Sequence, residues 1–462
     1  MFSSPHYSFM HRRNYATISL IIINVIVYAI TSYKNMFIQT SQEWVDMLGL
    51  VPVLLQYPEE WYRLITSMFT HADIFHIFFN MYFLYFFGKE VENRIGSWRF
   101  LLLYFVSGFF ATVFHVAFTP LGGSLGLIAP SIGASGAISG VLGAYLLSYP
   151  RKRLALCIFV PLPLCFTTTA SYFLILWFAT QVIYGYARLA SSIAYFAHAG
   201  GFVAGMAMLY LLYKPFTKRM ENTYPYGYYW FYQGFPGIYT RSLREGLGRI
   251  PKIMLAVLIL SLIIGSGLSA VNAHNVRGIY VYDITVTNQY GEITHDQAVY
   301  TLSGEYVIPT KSDPRIVFNR LLWTEIITGK PGYINNNYVY NEKVFISDFN
   351  AYIHVYIKGQ VEYDDLGVLV KLKGIMTTDV LYLTTNPYIG FIRLTKIIRN
   401  VQYQIDIVGE EVAGKTGTLI VQPFSIISVI VSLAALYVVV SKDKELVASE
   451  FEQIWPGPPV PI

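Results

Sequence analysis

Charge is scarce in this sequence. Aspartate, glutamate, lysine and arginine make up 13% of the 462 residues, against roughly 25% in a soluble globular chain. Aliphatic, aromatic and cysteine residues together reach 54%. So few ions do not make a water-solvated surface, which places most of the chain in lipid. The formal net charge of +5 gathers in loops on one side of the membrane rather than in a stripe that would track phosphates, so nucleic acid is not an expected partner. Cysteine is nearly absent: Cys157 and Cys165 are the two present. Both lie beside the basic triplet Arg151, Lys152 and Arg153, assigned below to the cytoplasm, and a disulfide framework is not expected. No H-E-x-x-H occurs, which leaves zinc proteolysis unsupported. The soluble-hydrolase elbow G-x-S-x-G is also missing, because Ala137 stands where its last glycine belongs.

What the sequence does have is a series of long apolar runs. Stretches that reach the ~17 to 25 residues of a membrane helix once flanking residues are included centre on residues 24, 81, 108, 141, 178, 203, 262 and 432. That predicts eight spans. His11, Arg12 and Arg13 ahead of the run from Ile18 to Ile30 imitate a signal peptide, but no small-residue cleavage site follows, so an uncleaved first span is expected. With the amino terminus in the cytoplasm, the inner loops hold Lys89, Arg94 and Arg99, then Arg151 to Arg153, then Lys214 to Lys252, then Lys442 and Lys444. The outer loop from Pro120 to Pro130 carries no charge, in keeping with the positive-inside rule. The apolar stretch Leu154 to Phe166 contains Pro161 and Pro163 and is read as an interfacial strap leading into the fifth span. Residues 220 to 240 are crowded with tyrosine and glycine, as suits a membrane interface.

From about 275 to 422 the texture changes to short alternating runs separated by Gly, Asn, Asp and Pro, which predicts a β-rich domain, sandwich-like in its simplest form. One helix is expected inside it, with Asp313 as N-cap, Pro314 at the first helical position and Gly329 at the end. Lying between an outgoing seventh span and a returning eighth, this domain is expected outside the cell. The resulting division is a six-span core over 1–215, a cytoplasmic aromatic and basic loop over 216–251, a seventh helix over 252–272, the extracellular domain over 275–422, an eighth helix over 423–441 and a cytoplasmic tail over 442–462.

Strongly polar groups at membrane depth are costly and mark candidate functional residues. Four stand out: Ser135, His198, His76 and Asn80. Each lies near the start of a helix that enters from the outer side, so topology alone puts all four at a similar depth. Gly136 and Gly140 form a small-residue face on the fourth span, and Ala197, Gly201 and Gly205 form a matching stripe on the sixth, which allows close helix approach. Packing is the ordinary explanation of a lone Gly-x-Ser-Gly in an apolar helix, and interhelical bonding that of a lone membrane histidine; their shared depth favours chemistry. A neutral imidazole activates a serine hydroxyl by taking its proton, so Ser135 reads as nucleophile and His198 as general base. His76 and Asn80, spaced i and i+4, share a helix face and supply candidate donors for an oxyanion. The backbone amide of Ser135 at a helix start is a further candidate.

Arg63-x-x-Thr66 ahead of His71, His76-x-x-x-Asn80, Gly88 with Glu92 and Gly96, Gly133-Ala134-Ser135-Gly136 and Ala197-His198-x-Gly200-Gly201 together resemble the rhomboid signatures in order and spacing, over roughly residues 15 to 215. The resemblance implies a six-helix core with a Ser-His dyad, here Ser135 and His198, oxyanion contacts at His76 and Asn80, and no metal or organic cofactor. It implies an intramembrane serine endopeptidase in the lipid bilayer of the cell membrane, its active site opening outward, cleaving single-span membrane proteins in or near their transmembrane helix. Two positions depart from the pattern. Tyr62 stands where tryptophan is usual, with Trp61 one residue earlier, and Ser139 replaces an aromatic residue that normally packs on the catalytic imidazole. Ser139 is a candidate to hydrogen-bond His198 instead. The β-rich segment and eighth span match nothing familiar, and a client ectodomain is a conceivable ligand of 275–422.

Two other readings compete. A catalytically inactive rhomboid-like protein that binds clients typically lacks the serine or histidine, and both are present here. A glutamate-type CAAX-like intramembrane protease is prompted by Glu59 and Glu60, but the spacing to Arg63 is one residue short of that motif.

Overall fold

The computed structural model describes residues 14–122, 124–160, 162–188, 194–213, 246–275, 277–303, 306–311, 326–346, 351–385 and 392–448. The aromatic stretch 220–240 and most of the helix expected from Asp313 lie outside the described residues. The chain divides into two compact units: Met1–Gly122, Pro130–Asn272 and Ile420–Ile462 form one, and Gly123–Ala129 with Ala273–Leu419 the other.

The first unit is a helical membrane bundle. Short helices aside, its elements are α1 (Tyr15–Ser32), α2 (Ile74–Phe83), α3 (Lys89–Ile95), α4 (Ser97–Phe118), α5 (Ser135–Ser148), α6 (Ala170–Ala187), α7 (Tyr195–Leu212), α8 (Arg249–Asn272) and α9 (Gln422–Tyr437). Among the described residues six helical segments are long and apolar enough to cross a membrane, those built on α1, α4, α6, α7, α8 and α9. The other two expected spans take special forms. A π-helical turn, Leu84–Gly88, joins α2 to α3, and α5 has 14 residues. This is a multi-pass membrane protein. Large apolar residues face outward, among them Ile22, Ile26 and Ile30 on α1 and Ile253, Val257 and Ile264 on α8, a pattern that lipid stabilises and water does not. From Gly136 to Ser148 every residue of α5 is buried, which makes it the axis of the bundle.

The predicted small-residue stripes meet. A Cβ built on Gly201 would fall on the Gly136 carbonyl, and one on Gly205 would fall on Gly140, so the backbones of α5 and α7 touch. Buried polar groups fix the rest. Glu92, 2% exposed, accepts from the amides of Ala16 (2.9 Å) and Thr17 (2.8 Å) and from the hydroxyls of Thr17 and Ser97 (both 2.6 Å). A remote carboxylate thus satisfies first-turn N–H groups of α1 that have no partner within the helix. Asp443 pairs with Lys252 (2.8 Å) and accepts from the Leu247 amide (3.0 Å), tying α8 to the chain end beyond α9.

The stretch expected to be an irregular strap is an antiparallel hairpin, β1 (Arg153–Val160) with β2 (Leu162–Thr169). Proline excludes the helix, as expected, but a two-stranded hairpin consists of edge strands and tolerates Pro163.

The second unit is the predicted β-rich domain. Its strands are β3 (Ile279–Asn288), β4 (Ile293–Ser303), β5 (Tyr306–Lys311), β6 (Ile334–Ile346), β7 (Ala351–Tyr363), β8 (Leu369–Thr385) and β9 (Ile392–Glu411), all antiparallel, in the order β5-β4-β3-β9-β8-β7-β6. A sandwich divides its strands between two facing sheets; the seven described here are hydrogen-bonded in one. Pairing of β3 with β9 joins the early and late strands directly. Alternation sets the buried face: Ile353, Val355 and Ile357 are buried on β7, where they join Tyr282, Tyr300 and Ile405. Two buried phenols donate to carbonyls, Tyr282 to that of Leu369 (2.7 Å) and Tyr363 to that of Ile326 (2.9 Å).

The Glu92 cluster gives a stability prediction. Glu92→Ala leaves buried donors without an acceptor, a loss of roughly 2–5 kcal/mol, and is expected to lower the thermal midpoint in detergent clearly. Glu43→Ala, which removes an exposed pair with Lys34, is expected to change it little. Equal midpoints for the two variants would contradict the capping role.

Candidate active site

Ser135 and His198 are brought together by the α5–α7 contact. Ser135 Oγ lies 2.8 Å from His198 Nε2, within reach for proton transfer. Both residues line a cleft of about 510 Å³ whose apolar wall includes Phe79, Phe83, Ile138, Leu142 and Trp177. The helix that Ser135 begins is about 21 Å long at 1.5 Å per residue, shorter than a hydrocarbon core of ~30 Å. A helix that short does not reach both surfaces of the hydrocarbon core.

His76 and Asn80 line the same cleft. Asp73 caps α2 by accepting from the amides of Phe75 and His76 (both 2.9 Å), which fixes where the helix starts and so where His76 points. His76 Nδ1 receives the Ala72 amide (3.3 Å), so its proton resides on Nε2 and that nitrogen is a donor. Asn80 donates one amide hydrogen to the His76 carbonyl (2.9 Å), leaving the other for a ligand.

The loop ahead of the serine is held by backbone geometry and by a histidine. Gly133 has φ +119°, and a Cβ there would sit 2.7 Å from His76 Nε2; only glycine fits both constraints. Its amide donates to the Ser67 carbonyl (2.8 Å). The fully buried His71 donates through Nδ1 to Phe69 O (3.3 Å) and accepts the Ala134 amide at Nε2 (3.4 Å). With Nδ1 donating to a carbonyl and Nε2 accepting an amide, this imidazole is held as one neutral tautomer.

Ser139 behaves differently from expectation, and one residue was missed. Ser139 does not bond His198. Its hydroxyl donates to the Ser135 carbonyl one turn back (2.6 Å), the usual outlet for a serine in an apolar helix. Glu60 is not part of the cleft: it pairs with the buried Arg63, whose guanidinium also donates to the carbonyls of Asp46 (2.6 Å) and Gly49 (2.8 Å). The missed residue is Gln181 on α6, whose Oε1 lies 2.8 Å from His198 Nδ1. A glutamine within an apolar span was the available signal. Among the described residues no group of three or more His, Cys, Asp or Glu is arranged to hold a metal ion.

A helical membrane bundle with a hydrogen-bonded serine–histidine pair is the class of protein that this fold and site define. The rhomboid domain model matches residues 58–215, and that segment is a rhomboid domain. It is 42% identical over 87 residues to "Rhomboid protease GluP" of Bacillus subtilis, covering 19% of this chain and 16% of that protein. It is 29% identical over 172 residues to "Rhomboid protein 1, mitochondrial" of Saccharomyces cerevisiae, covering 36% and 46%. It is 38% identical over 87 residues to "Putative rhomboid protease YdcA" of Bacillus subtilis, covering 19% and 41%. The chain thus spans less than half the length of these relatives.

Gly133→Ala tests the loop geometry. The positive φ and the overlap with His76 together are expected to slow reaction of Ser135 with a small fluorophosphonate by about 10-fold or more, with helix content unchanged by circular dichroism. A parental labelling rate would show that the Gly133 conformation is dispensable.

Proposed function

We propose that this chain is an intramembrane serine endopeptidase acting on single-span membrane proteins. The observation that carries the reading is the 2.8 Å contact between Ser135 Oγ and His198 Nε2 inside a cleft in the bundle. Ser135 Oγ attacks the scissile carbonyl as His198 Nε2 takes its proton. The tetrahedral oxyanion draws on the His76 Nε2–H and an Asn80 amide hydrogen. His198 then returns the proton to the leaving amine, and an acyl-enzyme forms on Ser135. Water, deprotonated by the same imidazole, releases the acid. The apolar cleft wall suits a transmembrane segment, and the basic loops support an amino terminus in the cytoplasm and a cleft that opens outward.

The β-rich domain, joined to the bundle by α8 and α9, is proposed to recruit the ectodomain of a client, since attachment at both ends raises its effective concentration near the cleft. Replacing residues 275–422 by a flexible linker should leave fluorophosphonate labelling intact and raise the apparent KM for native clients. Unchanged kinetics over several clients, in a variant that still inserts with all its spans, would remove recruitment.

Ser135→Ala is expected to abolish both labelling and cleavage of a model single-span substrate, with insertion unaffected, whereas Glu60→Ala should retain labelling at Ser135. Cleavage by the parent should fall toward acid pH, because His198 must be neutral to accept the proton. Labelling that survives Ser135→Ala, or a folded parent that neither labels nor cleaves, would sink the reading and favour a client-binding rhomboid.

A further inference from the structure

We propose that Gln181 is a positioning residue for His198, an uncharged third member that fixes the tautomer and ring plane of the base. This rests on the serine–histidine reading above. Gln181 Oε1 meets His198 Nδ1 at 2.8 Å, and the side-chain nitrogen of the same amide faces Thr180 Oγ1 (3.1 Å) and the Trp177 carbonyl (3.4 Å). That second pair of contacts decides the amide's orientation. Reversed, it would set two oxygens, Oε1 and the Trp177 carbonyl, against each other with no proton between them. With Oε1 toward the imidazole, Nδ1 must carry the hydrogen. Nε2 then presents its lone pair to the Ser135 hydroxyl, which is the tautomer a general base needs.

The surroundings favour one ring plane as well. Trp177 and Gln181 are four residues apart on α6 and so share a face, as do His198 and Phe202 on α7. The Trp177 ring lies 6.2 Å from the His198 ring and 5.8 Å from that of Phe202. Gln181 is 8% exposed, so water competes little for the bond. The aromatic restraint absent from position 139 is thus supplied from a different helix, by Trp177 in packing and Gln181 in hydrogen bonding. An amide does this without placing a carboxylate at membrane depth, where an ion is costly.

A role confined to helix packing predicts different behaviour from a role through the imidazole. Gln181→Met keeps the length and apolar packing but removes the acceptor. Gln181→Glu keeps the acceptor and adds a charge that favours imidazolium. For cleavage of a model single-span substrate in detergent, Gln181→Met is expected to lower kcat by about 10- to 100-fold, with KM and thermal midpoint near parental. Gln181→Glu is expected to recover turnover at neutral pH and to move the acid limb of the kcat profile to higher pH. Parental kcat in Gln181→Met would overturn the inference, as would a Gln181→Glu profile whose acid limb coincides with that of the parent. Fluorophosphonate labelling of the parent and of Ser135→Ala, run alongside, separates the two levels. Labelling that depends on Ser135 but proceeds at the parental rate in Gln181→Met removes the positioning role alone. Labelling that does not depend on Ser135 removes the protease reading and this inference together.

Discussion

Two helices in this protein approach until their backbones touch. Gly136 and Gly140 on α5 face Gly201 and Gly205 on α7, and a single added methyl on the α7 side would overlap a carbonyl of α5. Lipid offers little apolar driving force for helix association, so such contacts hold through dispersion and close fit. The rest of the site depends on this approach. Ser135 adjoins one stripe and His198 lies within a turn of the other, so the distance between their reacting atoms is set by the helix separation. Trp177, Gln181 and the oxyanion candidates refine a geometry that the glycines make available.

Around that contact, three histidines have their hydrogen bonds directed by a neighbour. His76 is oriented by the Ala72 amide, His71 by Phe69 and Ala134, and His198 by Gln181. These are neutral imidazoles whose tautomers are fixed by what sits on the second nitrogen. Ser135 therefore sees an acceptor in His198, while His76 presents a donor. Opposite roles arise from one residue type through the choice of neighbour.

The bundle and the meeting of Ser135 with His198 were legible in the sequence because they depend on composition, length and spacing. Apolar runs locate spans, and the glycine stripes next to Ser135 and His198 locate their meeting. The elements that escaped it depend on partners distant in the chain. Gln181 carries no local mark of its role, because an amide in an apolar helix is usually interhelical bonding, and only the position of His198 Nδ1 distinguishes it. Ser139 was assigned to the imidazole because its own helix carbonyl, always within reach of a serine, was not weighed. The hairpin at Arg153–Thr169 was hidden by a run apolar at nearly every position, where no alternation remains to reveal a strand. In the β-rich unit alternation is visible, yet the pairing of β3 with β9 joins residues as distant as Tyr280 and Glu411, which no local pattern encodes.

The Glu92 cluster bears on how the protein is made. Ala16 and Thr17, whose amides Glu92 receives, precede it by 76 and 75 residues. When α1 leaves the ribosome its acceptor has not yet been synthesised, and its first turn must rely on water or lipid headgroups until the segment bearing Glu92 arrives. The first span thus enters the bilayer before the means of anchoring its end exists. The contact between α1 and Glu92 therefore forms no earlier than the second span.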